Sequence, residues 1–284
     1  MKKIVIIPNM TKEKSLEVTS DLVESLLKVN LLTYVSKKYE HFNLCGVEYY
    51  DEFPEGVDLI IVVGGDGSVL DASVYAISAD VPVIGVNLGK VGYLSEVEPY
   101  NLGVFSRLLT GKYGIEEKML LSLQIGINGE ETEVSRLAVN DVVVSHDKCL
   151  GISDFKIENY KGDSVKYRAD GVVFSTPSGS TAYSLSAGGP VVAYNVQSIL
   201  VTPICPHSFF NRSILFNAQD VITVTNLSTD EMSVCIDGRR VYKLLPEAKC
   251  KISVSKKKLK MLTFSENNMF NTLFKKMRIM EDVK

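Results

Sequence analysis

The feature that most constrains the fold is a run of apolar residues that leads straight into three glycines and one aspartate. Leu59–Val63 is followed directly by Gly64-Gly65-Asp66-Gly67. Continuous runs of branched apolar residues are typical of strands buried on both faces of a parallel sheet, which helices cover. Val69–Ile77 has the composition of such a helix. The sequence therefore predicts a strand–loop–helix unit with the glycine loop at the carboxyl end of a parallel strand.

The alternation of strand and helix patterns extends over the first third of the chain. Ile4–Ile7 and Val81–Val86 are interpreted as further buried strands, and Ser15–Leu27 has helical spacing. Alternation of this kind predicts a parallel sheet covered by helices. We therefore expect an α/β N-terminal domain with a parallel sheet over residues 1–115.

From about Glu116 the pattern changes to short strand-like runs separated by Asn, Asp and Gly. We expect a β-rich C-terminal domain over residues 116–255, with one short helix near Ser180–Ala187. The predicted strands are Leu121–Ile127, Leu137–Ser145, Ile152–Tyr160, Val172–Ser175, Val221–Thr225 and Met232–Ile236.

The last part of the chain has a different periodicity. Six apolar residues fall on one helical stripe, and the basic residues lie off it. We expect a C-terminal packing helix within residues 256–284. The stripe consists of Met269, Phe270, Leu273, Phe274, Met277 and Met280.

Composition excludes several functional classes. The formal net charge of −3 offers no basic excess for nucleic acid or an anionic membrane. The apolar stretch Ile4–Ile7 is too short for a signal core or a membrane span, so a cytoplasmic protein is expected. None of the 5 cysteines and 3 histidines forms a recognisable metal motif, and no Gly-x-Ser-x-Gly elbow indicates a hydrolase.

The glycine loop favours phosphate binding. Glycines let the backbone approach a ligand closely, and amides at the start of the next helix can bind phosphate. Neither the dinucleotide fingerprint nor the Walker A motif is present, because Leu70 replaces the third glycine and no Gly-Lys-Ser/Thr follows. Asp66 would repel phosphates unless a cation or a specific role offsets its charge. It could accept the proton of an attacking hydroxyl or orient that hydroxyl; the structural alternative is that it caps the helix.

A second segment, Arg168–Pro190, is dense in hydroxyls and glycines. A strand again runs into a Pro-Ser-Gly turn, at Pro177-Ser178-Gly179, and a predicted helix start. Small donors and acceptors with one aromatic face, Tyr183, suit a purine or a sugar better than a lipid chain. A hydroxyl-capped helix is the structural alternative.

Taken together, four segments resemble the NAD kinase family. They occur in the family's order and span most of the chain, up to about Gly238, and the run from Thr176 to Tyr183 is the most family-specific. The four segments are Gly64-Gly65-Asp66-Gly67, Asn87-Leu88-Gly89-Lys90-Val91-Gly92-Tyr93-Leu94, Asn140-Asp141 and Asp170–Pro190.

The resemblance implies that ATP, with Mg²⁺ or another divalent cation, phosphorylates the 2′-hydroxyl of the adenosine ribose of NAD to give NADP. It implies that Asp66 is the base or orienting group and that Asn140 and Asp141 hold the adenosine portion of the acceptor. It also implies a homo-oligomer, a dimer or tetramer, in which Asp170 could meet a neighbouring subunit. No metal ligand from the chain is assigned. The residues expected to bind the nucleotides are Gly64, Gly65, Gly67, Asn140, Asp141, Arg168, Asp170, Ser178, Thr181, Ala182, Tyr183 and Ser186.

Two positions depart from the common family pattern, since Asp141 stands where many members carry Glu and Tyr93 stands where Phe is common. Asp237-Gly238 resembles a late Asp-Gly turn near the family's site. Two other functions remain open at this point: a sugar or lipid kinase with a similar glycine loop, and a non-catalytic dinucleotide-binding sensor.

Overall fold

The chain divides into two compact units. The structure, a computed structural model, describes residues 1–89, 92–125, 136–146, 151–207 and 210–264. Of the described residues, the N-terminal unit comprises those of Met1–Glu117 together with 259–264, and the C-terminal unit comprises those of Lys118–Lys258. No helix within these described ranges is long and apolar enough to cross a membrane.

The N-terminal unit is built on a parallel sheet. The sheet runs β3-β2-β1-β4-β5, and β6 also lies beside β5. The parallel pairing confirms the predicted α/β domain. The six strands are β1 (Lys3–Pro8), β2 (Leu32–Ser36), β3 (Glu48–Tyr50), β4 (Leu59–Gly64), β5 (Val83–Asn87) and β6 (Ser95–Val97).

Among the described residues of this unit, two segments form α-helix, α1 (Ser15–Leu27) and α2 (Asp66–Ala79), and two form 3₁₀ helix, Lys37–Phe42 and Pro99–Leu108. Helix α1 buries one stripe, Val18, Leu22 and Leu26, at the spacing of four residues that places side chains on one helical face. These side chains join the core formed by β1, β4 and β5. The packing fixes the sheet whose edge carries the glycine loop.

The C-terminal unit is almost entirely β. One sheet has the order β14-β13-β12-β9-β16-β17, and all its described pairs are antiparallel. A short 3₁₀ turn, Gly179–Thr181, and a short helix, α3 (Tyr183–Ser186), follow β12. The remaining strands are β7 (Gly114–Ile125), β8 (Arg136–Ala138), β9 (Asp141–His146), β10 (Ser153–Glu158), β11 (Ser164–Ala169), β12 (Gly171–Ser175), β13 (Ser198–Ile204), β14 (Ile214–Asn217), β15 (Ile222–Asn226), β16 (Met232–Ile236), β17 (Arg239–Leu244) and β18 (Lys249–Thr263).

The described residues of this unit share one hydrophobic core. Val142, Val144, Val172 and Phe174 come from the sheet just described, and they meet Phe155 and other residues of β10, β11, β15 and β18. Alternate residues of β9 and β12 therefore face this core, and the residues between them lie on the opposite face of the sheet. That opposite face carries the segment after β12, because Ser184 in α3 hydrogen-bonds Thr202 in β13 at 2.9 Å.

Three of the elements predicted from the sequence have a different structure. The run Leu137–Ser145 is two strands, β8 and β9, which a turn at Val139–Asn140 separates. The helix predicted near Ser180–Ala187 is interrupted at Ala182, whose ψ of −125° is not helical. Lys256–Thr263 is strand rather than the start of a C-terminal helix, and the stripe from Met269 to Met280 lies outside the described residues.

The last difference has a physical reason. In β18, Cys250 and Ile252 are buried while the residues beside them are more exposed, which is the two-residue period of a strand. The same strand ends beside β5, where Met261 pairs with Val83. The period of two was present in the sequence but was masked by the lysines at 256–258.

Candidate functional site

The glycine loop lies where the parallel strands end. Because β1, β4 and β5 run in the same direction, their carboxyl ends share one edge of the sheet. Pro8 pairs with Val63, and Gly64 pairs with Asn87. The residues that follow these strands are therefore neighbours, and Asn9 Nδ2 donates a hydrogen bond of 2.8 Å to Ser68 Oγ.

The glycines of the loop have different structural reasons. A Cβ on Gly64 would lie 2.5 Å from Ser68 Oγ, so any side chain there would displace the first turn of α2. A Cβ on Gly67 would meet nothing within 4 Å. Gly67 is thus not required by packing, whereas Gly64 is. An open position at a helix start suits close approach of a ligand to the backbone.

Asp66 is held by the backbone of a second loop. Tyr93 N–H donates to both carboxylate oxygens, at 2.9 and 2.8 Å, and Leu94 N–H donates to Oδ1 at 2.9 Å. Ser95 adds its N–H at 3.3 Å and its hydroxyl at 3.5 Å. The helix cap is Gly65, and Asp66 is the first helical residue, so the alternative in which Asp66 caps the helix is wrong.

These bonds define what Asp66 can do. A carboxylate has about four lone-pair positions, and the Tyr93–Ser95 loop occupies most of them. The side chain is half-buried and cannot rotate without breaking charge-assisted hydrogen bonds. A fixed carboxylate at the sheet edge is suited to orienting a hydroxyl. The sequence analysis included Tyr93 and Leu94 in a family segment but assigned them no role in holding Asp66.

The described residues of the chain offer little for a metal ion on their own. Within those ranges, no group of three or more His, Cys, Asp or Glu side chains is close enough to hold one. Magnesium often takes one or two protein carboxylates and completes its shell with phosphate oxygens and water. The glycine loop, with its amides and the Asp66 carboxylate, is compatible with a cation that is held mainly by phosphate oxygens.

In the C-terminal unit, a tight turn joins β8 to β9 and carries Asn140 and Asp141. Asp141 is 5% exposed, and burial together with the nearby Asp237 carboxylate raises the pKa of Asp141 to about 7. Asp237 accepts hydrogen bonds from the N–H groups of Val139, Asn140 and Asp141 at 2.9, 2.7 and 3.1 Å. The structure thus brings Asp237 directly to the predicted Asn-Asp pair.

The Thr-Pro-Ser-Gly segment is bonded to the same turn. Thr176 Oγ1 donates to Val139 O at 2.7 Å, and Thr176 N–H donates to Asn140 O at 2.9 Å. Gly179 N–H in turn donates to Thr176 Oγ1 at 2.9 Å. A Cβ on Gly179 would collide with the carbonyl oxygen of Asn140, so only glycine permits this approach. The two predicted segments therefore form one assembly.

The hydroxyls of this segment fall into two groups. Ser180 and Ser184 are buried, and their hydroxyls bond Val192 N–H and Thr202. Thr181 is nearly buried, and its hydroxyl donates to Ser178 O at 3.2 Å. The more open positions are Ser178, Ala182, Tyr183 and Ser186. Much of the hydroxyl content therefore serves the fold, and the roles in binding stay predictions.

Tyr183 lies among acidic and thiol groups on the face of the sheet opposite the core. Its side chain is 46% exposed. Partial burial is the main cause that raises the pKa of its phenol, and nearby Cys205, Asp170 and Asp141 add to the rise. The predicted residues Asp141, Asp170 and Tyr183 are thus neighbours in one region of this unit.

For Asp170 and Arg168, the structure gives backbone hydrogen bonds that fix their positions in the sheet. Asp170 lies between β11 and β12, where its N–H donates to Ile204 O and its carbonyl accepts from His146 N–H, each at 3.1 Å. Arg168 is exposed in β11, an edge strand, and its carbonyl accepts from His207 N–H at 2.7 Å. Both residues have firm backbone positions.

The sequence was compared with family models and with known proteins, and both comparisons gave matches over most of the chain. Residues 4–113 match the family model described as the ATP-NAD kinase N-terminal domain, and residues 139–264 match the ATP-NAD kinase C-terminal domain. A protein named NAD kinase from Lachnoclostridium phytofermentans is 33% identical over 96% of this chain and 98% of its own length. Another from Natranaerobius thermophilus is 31% identical over 98% of both.

The chain belongs to the NAD kinase family.

Solved structures of NAD kinases share the fold. A yeast NADH kinase complexed with NADH superposes with a TM-score of 0.85 at 22% identity, over 96% of this chain and 86% of that one. An NAD kinase from Archaeoglobus fulgidus in complex with ATP gives a TM-score of 0.73 at 24% identity, over 98% and 99%. The family assignment confirms the two-domain α/β and β-rich fold class expected from the sequence.

Proposed function

We propose that this chain transfers the γ-phosphoryl group of ATP to the 2′-hydroxyl of the adenosine ribose of NAD, giving NADP and ADP. Relatives named NAD kinase match nearly the full chain at 31 and 33% identity. The observation that carries the mechanism is the Asp66 carboxylate, which three consecutive amides hold beside an open glycine loop. Phosphoryl transfer depends mainly on positioning and charge neutralisation, which such a loop can supply.

In this proposal the ribose oxygen attacks the γ-phosphorus of ATP. The new bond joins the 2′-oxygen to phosphorus, the bond between that phosphorus and the β–γ bridging oxygen breaks, and ADP leaves with that oxygen. Asp66 orients the hydroxyl and accepts its proton, directly or through water. Gly64, Gly65 and Gly67 form the phosphate loop, and they lead into the N-terminal end of α2, where a helix favours a bound phosphate.

The acceptor residues of the proposal belong to the C-terminal unit. Asn140 and Asp141 bind the adenosine portion of NAD, and Tyr183 offers an aromatic face with Ser178, Ala182 and Ser186 around it. Thr181 lines the same region, although its hydroxyl already bonds Ser178 O. Asp170 and Arg168 are further candidates, Asp170 toward a neighbouring subunit and Arg168 toward phosphate.

Mg²⁺ or another divalent cation is expected to enter with ATP and to neutralise charge on the triphosphate. The chain itself would hold the phosphates through the glycine loop and keep Asp66 oriented. We also propose a cytoplasmic homo-oligomer, a dimer or tetramer. Light scattering on the purified protein measures the number of subunits and would correct this expectation if one subunit were found.

The direct test is NADP formation from purified protein, ATP, Mg²⁺ and NAD, followed with an NADP-specific dehydrogenase. Fructose 6-phosphate and diacylglycerol serve as alternative acceptors, with ADP release as the common readout. ADP release that depends on NAD and does not occur with either alternative acceptor supports the proposal. Faster release with either alternative acceptor would point to a sugar or lipid kinase, and tight NAD binding without NADP would point to a sensor.

A further inference from the structure

The turn between β16 and β17 contains two residues, Asp237 and Gly238, and both have positive φ, 47° and 79°. Two-residue hairpin turns with positive φ at both positions favour Asn, Asp and Gly. The turn alone therefore accounts for a small polar residue at position 237. It does not account for where the Asp237 side chain is directed.

The Asp237 carboxyl group binds three consecutive amides of another turn. Its oxygens accept the N–H groups of Val139, Asn140 and Asp141 at 2.9, 2.7 and 3.1 Å. Its own N–H donates to Asp141 O at 3.0 Å. One side chain thus satisfies every amide of the turn that carries the Asn-Asp pair.

The same turn is held from its carbonyl side by Thr176. The Thr176 hydroxyl donates to Val139 O at 2.7 Å, and its amide donates to Asn140 O at 2.9 Å. With amides and carbonyls both bonded, the backbone of residues 139–141 has one arrangement. The directions in which Asn140 and Asp141 project then follow from that backbone.

From this geometry we propose that Asp237 is a positioning residue for the nucleotide acceptor, because its carboxyl group holds the Val139–Asp141 turn that presents Asn140 and Asp141. The inference rests on the proposed function, in which these two residues bind NAD. Asp237 itself needs no contact with the acceptor. Its effect passes through the three amides and through its charge.

The charge of Asp237 acts on Asp141. Burial, and then the Asp237 carboxylate, raise the pKa of Asp141 to about 7. Burial also raises the pKa of Asp237, but the three N–H donors oppose that rise. Among the described residues, the Tyr183 phenol of α3 is a further titratable group close to Asp141. Asp141 is therefore the member of the pair that takes up a proton as the pH falls through neutrality.

This pairing predicts a pH effect on acceptor binding. An ionised Asp141 accepts hydrogen bonds from ribose hydroxyls more strongly than a neutral one. The KM for NAD should therefore rise as the pH falls through about 7, while the KM for ATP should not. If Asp237 had only a structural role, its replacement would not shift the pH at which the KM for NAD changes.

The decisive variant is Asp237→Asn, because Asn tolerates positive φ and keeps one acceptor oxygen. At about pH 8, where Asp141 is ionised in both proteins, the KM for NAD should rise about tenfold, as expected for loss of one hydrogen bond to a charged group. The midpoint of the pH profile should move to lower pH, because the neighbouring charge is gone. Asp220→Asn is the matched control, since Asp220 accepts Asn217 N–H at 2.9 Å in an exposed turn of the same unit.

An unchanged KM for NAD and an unchanged pH midpoint in Asp237→Asn would overturn the inference. If that variant does not fold, Asp237→Glu decides: a raised KM for NAD with the ATP value unchanged supports the proposal, and an unaltered NAD value refutes it. Wild-type protein that forms no NADP would refute the proposed function instead. If the wild type forms NADP and the Asp237 variant has the same kinetics, only the role of Asp237 is refuted.

Discussion

Asp66 and Tyr93 are joined by a forked hydrogen bond, in which one backbone N–H reaches both carboxylate oxygens at 2.9 and 2.8 Å. The residues are 27 positions apart, so the contact ties the glycine loop to the loop that precedes β6. Leu94 and Ser95 add their amides to the same carboxylate. The side chain proposed to orient the ribose hydroxyl is therefore fixed before any substrate arrives.

The first prediction concerns Asp66→Asn. The amide side chain keeps one acceptor oxygen for the loop but loses the charge and the ability to take a proton. Turnover should fall by about 10²–10⁴-fold, the usual size of acid–base assistance, while much of the NAD affinity and the fold remain. Steady-state kinetics and circular dichroism measure both effects.

Asp80→Asn is the control for Asp66. Asp80 lies at the end of the same helix and pairs with Lys260 at 2.8 Å on the surface. Exposed ion pairs contribute little, so turnover should stay near the wild-type value. Near-normal turnover in Asp66→Asn would remove that residue from any chemical role.

A second prediction contrasts two glycines of one loop. Gly64→Ala should destabilise the fold, because its Cβ would lie 2.5 Å from Ser68 Oγ. Gly67→Ala should leave the unfolding temperature nearly unchanged, because no atom lies within 4 Å of that Cβ. If Gly67 borders the triphosphate, its alanine variant should instead raise the KM for ATP. A loss of stability of equal size in both variants would contradict this division.

The third prediction concerns the pH dependence of stability through Asp141. Its pKa in the folded protein is raised to about 7 by burial and by Asp237. The folded state therefore binds the proton more tightly than the unfolded chain does, and stability from this group is lost as the pH rises toward 7. Between about pH 5.5 and about pH 8.5 the loss should be on the order of 2 kcal/mol.

Asp141→Asn tests this directly. The variant should gain stability relative to wild type at alkaline pH and show a smaller difference at acid pH, as measured by urea unfolding at both values. Asp163→Asn, in the exposed turn between β10 and β11, is the control and should shift little with pH. The assignment would be rejected if the free energy of unfolding changed with pH in the same way in the wild type and in Asp141→Asn.

The fourth prediction separates the ring of Tyr183 from its hydroxyl. The side chain is 46% exposed, so an aromatic face is available for a base or a sugar. Tyr183→Phe should keep most NAD affinity, and Tyr183→Ala should raise the KM for NAD about tenfold, as loss of one stacking contact of 1–3 kcal/mol predicts. Equal KM values in the alanine variant and wild type would exclude stacking.

The strands and helices that could be predicted are those with a clear pattern of apolar residues, either a continuous run or a regular period. Ile4–Ile7 and Leu59–Val63 are continuous runs of large aliphatic residues, and both are strands. Helix α1 has the predicted bounds, Ser15–Leu27, because its buried stripe is regular. In contrast, β11 (Ser164–Ala169) mixes Lys and Arg with apolar residues on an exposed edge, and its pattern gives little signal.

The candidate site was predictable where side chains carry it and not where backbone carries it. Asp66 could be named from the chemistry of its side chain within the glycine loop, whereas Asn140 and Asp141 were named through the resemblance to the NAD kinase family. The amides of Tyr93, Leu94 and Ser95 have no sequence signature, since any residue except proline supplies an N–H. One signal was available, because Gly92 precedes them and a Cβ there would collide with Ser95 O.

The contact between Gly179 and the Asn140 carbonyl joins two stretches of main chain with no side chain between them. Their separation is consequently set by the polypeptide itself, and exchange of neighbouring side chains leaves it unaltered. If this surface binds NAD as proposed, replacement of the more exposed Ser178 or Ser186 can change the ligand that it prefers without moving the main chain. Because the two main-chain segments are in direct contact, the distance between them is difficult to change by insertion. Differences in ligand selectivity at this surface should therefore come from the type of side chain and not from the spacing of the backbone.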